Sequence, residues 1–82
     1  MQLTILGTDK GQCSQLRHEA VLAVRHLHQS IPIRHVQDHA QIAHYQVLRQ
    51  PALLIDKTVV AAGFIPSATE IEAMLLAKQA AG

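Results

Sequence analysis

Short runs of consecutive apolar residues alternate along this chain with longer stretches in which apolar positions recur every three or four residues. The first run, Leu3-Thr4-Ile5-Leu6, carries a β-branched pair, stops at Gly7 and predicts a buried strand. Beyond the loop Gly7-Thr8-Asp9-Lys10-Gly11, residues Cys13, Leu16, Ala20, Ala23, Val24 and Leu27 fall on one helical stripe. Arg17, His18, Arg25 and His28 lie outside it. Val21 and Leu22 also lie outside it, so this predicted helix is more apolar than one-sided packing requires. It should fade around His28-Gln29-Ser30, because Pro32 disfavours helical backbone at Ile31.

The period then shortens. Ile33-Arg34-His35-Val36 alternates with period two and predicts a second strand. Asp38, with Gln41 three residues on, resembles a capping box opening a short helix, on which Ile42 and Tyr45 share a face. Ala52-Leu53-Leu54-Ile55 reads as a fully buried strand, Asp56-Lys57 as a turn, and Thr58-Val59-Val60-Ala61-Ala62 as the returning strand of a hairpin. The tightest hairpin turns prefer glycine where Lys57 stands, so a wider turn or a small strain is expected there. Ser67-Ala68-Thr69-Glu70 fits the S-x-x-E capping box and starts a last helix through Ile71, Met74, Leu75 and Lys78, with 77–82 expected to fray. The order is βαβαββα: an α/β chain with no internal repeat and no linker.

Composition narrows the function classes. At 82 residues the chain has room for one small domain, 1–82, with a thin core. Hydrophobic residues make up 49% and charged residues 16%, which excludes intrinsic disorder. No apolar run approaches the roughly 20 residues of a membrane span, and the N-terminus lacks the basic flank of a signal peptide. The single cysteine, Cys13, has no partner for an internal disulfide. A cytoplasmic location and no membrane partner are therefore the expectations. A formal charge of +1, no basic stripe and only Tyr45 and Phe64 as aromatics argue against nucleic-acid binding.

Several segments resemble a known family. Leu3-Thr4-Ile5-Leu6-Gly7-Thr8, the span from Asp38 to Tyr45 with Val47, Gln50-Pro51-Ala52-Leu53-Leu54-Ile55-Asp56, and Ala62-Gly63 followed by Ser67-x-x-Glu70-Ile71 are similar to the small thioredoxin-like, glutaredoxin-like "redox-active disulfide protein" group. The resemblance runs from Met1 to about Leu76. It implies a thioredoxin-like fold, a four-stranded mixed sheet with helices on both faces. It also implies a cis peptide bond before Pro51, and glycine where this chain has Gln46. Family members carry a C-x-x-C after the first strand; the matching stretch here is Lys10-Gly11-Gln12-Cys13, with lysine in place of the first, nucleophilic cysteine. Thiol–disulfide exchange proceeds through thiolate attack, which lysine cannot supply, so dithiol oxidoreductase activity is not expected.

Cys13 is the one candidate catalytic residue, and two readings of it oppose each other. A thiol in the first turn of a helix, near Lys10, gains a lowered pKa and reactivity. A thiol on the apolar stripe with Leu16 and Ala20 is buried and inert, and the stripe outweighs the dipole. Lys10 is either an anion-holding cation or a loop lysine paired with Asp9. Thr8, Lys10, Gln50, Pro51 and Gly63 are the candidate binding residues, around a groove where the backbone at Gln50 could pair with an extended peptide.

The six histidines are spaced unlike ligands: His26/His28, His35/His39 and His39/His44 do not share helical faces, so no metal site and no cofactor are expected. The leading function is a binding or adaptor module for a protein or peptide partner that the sequence does not identify. Behind it stand a single-thiol redox protein using Cys13 and a small-ligand or metal carrier using histidines. Val21 and Leu22 suggest a homodimer.

Overall fold

The computed structural model describes residues 1–81; Gly82, the last residue of the stretch expected to fray, lies outside the described residues. The elements are β1 (Leu3–Leu6), α1 (Lys10–His26), β2 (Ile33–Val36), α2 (His39–His44), β3 (Ala52–Ile55), β4 (Thr58–Ala62) and α3 (Ala68–Ala81). They form one mixed sheet in the order β2-β1-β3-β4. β1 is parallel to β2 and antiparallel to β3, and β3 is antiparallel to β4.

Side-chain alternation along the two central strands divides the core. Leu3, Ile5, Leu53 and Ile55 join Cys13, Leu16, Ala20 and Ala23 of α1 and Ile71 and Leu75 of α3. Leu6, Ala52 and Leu54 form a second cluster with Val36 and with Ile42 of α2. Central strands covered on both faces carry apolar residues at successive positions, which is why β1 and β3 read as runs.

Element ends show where local chemistry decided the outcome. The loop expected to reach Gly11 stops at Asp9, because its carboxylate accepts the Gln12 N–H at 2.8 Å and α1 begins at Lys10. At its other end α1 stops at His26, earlier than Pro32 would require. His28 takes φ +54, its N–H reaches the Arg25 carbonyl (3.1 Å), and the Gln29 N–H reaches that of Val24 (3.4 Å). This is a Schellman closure with histidine in the position glycine favours. Asp38 caps α2 through the Ala40 N–H at 3.1 Å. Gln46, at φ +57, ends that helix in a left-handed conformation.

Ser67 and Glu70 complete the reciprocal capping box of α3, at 3.1 and 3.2 Å. The expected fraying from residue 77 does not occur through Ala81. Lys78 Nζ donates to Thr58 Oγ1 at 3.2 Å, and the Gln79 amide pairs with that of Gln29, so the last turns are tied down. In the hairpin the strained residue is Asp56, at φ +55, rather than Lys57. Asp56 earns that conformation through two bonds to Gln2: its N–H to the Gln2 carbonyl (2.8 Å) and its Oδ1 from the Gln2 N–H (3.0 Å).

Candidate functional site

The site lies where the C-terminal end of β1 meets the start of α1 and the start of β3. Gly7 closes β1, its N–H donating to the Val36 carbonyl at 3.1 Å. A methyl group on Gly7 would stand 2.6 Å from Cys13 Sγ and 3.7 Å from Pro51 Cα. The sulfur is therefore packed against the Gly7 backbone, on the side that faces Pro51. Cys13 is 2% exposed. Burial, and secondarily the Asp9 carboxylate, push its thiol above the ordinary value of 9.0. That is opposite to the lowering that the reactive of the two readings of Cys13 requires. Asp9 is spent on capping, and no Lys or Arg among the described residues lies within ion-pairing distance of a carboxylate, so the expected Asp9–Lys10 pair does not form.

The Gln50–Pro51 peptide bond is cis, and Pro51 is buried. The Pro51 carbonyl accepts the Gly63 N–H at 2.9 Å. Gly63 has φ +84, and a Cβ there would stand 2.8 Å from Arg49 Cδ, so both conformation and space call for glycine. Gln50 reaches across to the loop after β1: its Oε1 accepts the Thr8 N–H (3.1 Å) and the Thr8 hydroxyl (3.3 Å). Thr8, Gln50, Pro51 and Gly63 thus come together, with Cys13 beneath them.

Lys10 is placed differently. It lines a cavity of about 220 Å³ with Cys13, Ser14, Arg17, His35 and Gln37, none of which comes from the Pro51 segment. His35 Nε2 lies 3.3 Å from the Gly7 carbonyl and its Nδ1 lies 3.3 Å from the Gln37 side-chain nitrogen. A neutral Nε2–H imidazole satisfies both, donating to Gly7 and accepting from Gln37. Gly7, Asp9, His35 and Gln37 were not among the sequence candidates. Of these only Asp9 had a local signal, as a helix-capping residue type directly before the helix.

The family model described as a thioredoxin domain matches residues 1–76. The chain belongs to that family. Its mixed sheet with helices on both faces is the α/β thioredoxin-like fold. No curated protein matches the chain.

Within this thioredoxin-family chain, His26 Nδ1 lies 3.0 Å from Glu72 Oε2 and links α1 to α3. Among the described residues no three His, Cys, Asp or Glu side chains gather as a metal site, and no helix is long and apolar enough to cross a membrane. Val21 and Leu22 are half-buried, whereas Leu48 is 98% and Phe64 51% exposed. Those two side chains belong to the segments that the Gly63–Pro51 hydrogen bond holds together.

Proposed function

We propose that this thioredoxin-like chain is a single cytoplasmic domain that acts as a binding or adaptor module rather than a dithiol oxidoreductase. In this reading Lys10 occupies the place of the first cysteine of a C-x-x-C. The observation that carries it is the state of the only thiol: Cys13 belongs to the larger core cluster and its acidity is suppressed. A buried, protonated thiol is a poor nucleophile, and with no second cysteine it cannot be released by an internal resolving step. The same facts weigh against the single-thiol alternative.

The binding surface in this reading is the groove of Thr8, Gln50, Pro51 and Gly63, with the exposed apolar side chains Leu48 and Phe64 on the adjoining segments, whereas Lys10 lines a separate cavity. An extended peptide is the fitting partner, because adjoining apolar residues and a strand start offer side-chain and main-chain contacts together. In an insulin-reduction assay with dithiothreitol, the chain should give no acceleration over blank. Acceleration that Cys13→Ala abolishes would overturn this reading, because it would show the one thiol turning over a disulfide. A displayed-peptide library selected on the full chain should return binders that lose about tenfold affinity against Phe64→Ser or Leu48→Ser. Binders indifferent to both substitutions would place recognition elsewhere.

A further inference from the structure

The sheet face under α2 is covered by a much shorter helix than the opposite face. α2 spans six residues and packs at the Leu6, Val36, Ala52 and Leu54 end. Toward the other end of that face lies a cavity of about 430 Å³, whose lining includes Thr4, Arg34, His44, Tyr45 and Lys57. Its volume falls in the range of small-molecule sites, roughly 300–1,000 Å³. None of its residues belongs to the Cys13–Pro51 groove.

Two features single it out. Thr4 is the one buried polar residue among the described residues, 4% exposed, and it lines this cavity. Among the described residues no buried side-chain nitrogen or oxygen lacks a partner, so the Thr4 hydroxyl, which bonds no other side chain, is open to the cavity. Arg34 stands directly beside it in register on β2, and neither Arg34 nor Lys57 has an ion-pair partner among the described residues. The one carboxylate in the lining, Asp56, is hydrogen-bonded to Gln2. A hydroxyl open to the cavity beside two cations, against one carboxylate already engaged, leaves the lining with a surplus of donors and positive charge.

We propose that this cavity binds a small oxyanion-bearing molecule. Arg34 and Lys57 hold the anionic group, the Thr4 hydroxyl donates to it, and Tyr45 and His44 form the wall at the end of α2. Guanidinium geometry suits carboxylate and phosphoryl oxygens alike, so oxyanion chemistry is the shared requirement.

The test is a nitrogen-15 correlation titration of the full chain, with succinate in one arm and inorganic phosphate in the other. At least one probe should shift the amides of Thr4, Arg34, Tyr45 and Lys57 together along one saturable curve, and the arm that does so identifies the class. Arg34→Gln should weaken that binding about tenfold. Thr4→Val, which keeps the side-chain shape, should weaken it severalfold. Arg17→Gln, in the other cationic cavity, should leave it unchanged. Arg34 and Lys57 are exposed, so Arg34→Gln and Lys57→Gln carry the test should Thr4→Val disturb the sheet. No saturable shift from either probe, or equal weakening by Arg17→Gln, would overturn the proposal.

Discussion

On one face of the sheet Leu3, Ile5, Leu53 and Ile55 lie beneath helices of 17 and 14 residues; on the other, Leu6, Ala52 and Leu54 lie beneath one of six. The strands are the same and the cover is not. The well-roofed face includes Cys13 in its cluster, so the chain's one thiol serves as a core side chain. The thinly roofed face leaves Thr4 and Arg34 beside an open cavity. Apolar burial scales with the area covered, so stability concentrates on the first face and polar openings on the second.

The largest effect should come from the roofed core. Leu16→Ala should cost about 3–4 kcal/mol and Ile42→Ala about 2 kcal/mol, from urea midpoints. Equal losses would break the contrast between the faces. Next is Gly7→Ala, whose new methyl meets Cys13 Sγ at 2.6 Å and should cost about 2 kcal/mol. In a Cys13→Ala background the added cost should fall below about 1 kcal/mol, a coupling that a double-mutant cycle reads directly. Additive losses would mean that the sulfur is not what Gly7 accommodates.

Smaller effects separate two left-handed residues. Gln46→Gly relieves a side chain at φ +57 and should stabilise by about 0.5–1 kcal/mol. Asp56→Gly relieves a similar φ but loses the bond from the Gln2 N–H, so its gain should be smaller or absent. A larger gain at Asp56 would show that this bond contributes nothing.

The smallest effect is alkaline. The folded chain holds the Cys13 proton above the ordinary 9.0, where the unfolded chain releases it. The stability from this difference is complete below the unfolded value and is lost as pH rises through the folded one. Cys13→Ala should flatten that alkaline decline; an unchanged slope would detach the thiol from the core.

Much of the fold was legible because its signals are local. The capping box of Ser67 and Glu70 uses groups three residues apart, and the burial of Cys13 followed from its place on a stripe with Leu16 and Ala20. Legibility failed where a residue type serves two purposes. Asp9 suits a surface pair as well as a cap, and only the competing Gln12 N–H decided between them. His28 gives no sign in sequence that it will take the position of a closing glycine.

The chain by itself determined the element order, the apolar stripe that buries the thiol, and the absence of a second cysteine, since periodicity and composition are carried within short windows. Tertiary structure decided which groups became neighbours. Gln50 reaches Thr8 across 42 positions, Gly7 lies against Cys13 and Pro51, and Thr4 sits beside Arg34 on the face with the shorter roof. Those juxtapositions depend on strand register and on how far each helix extends over the sheet, which no short window contains.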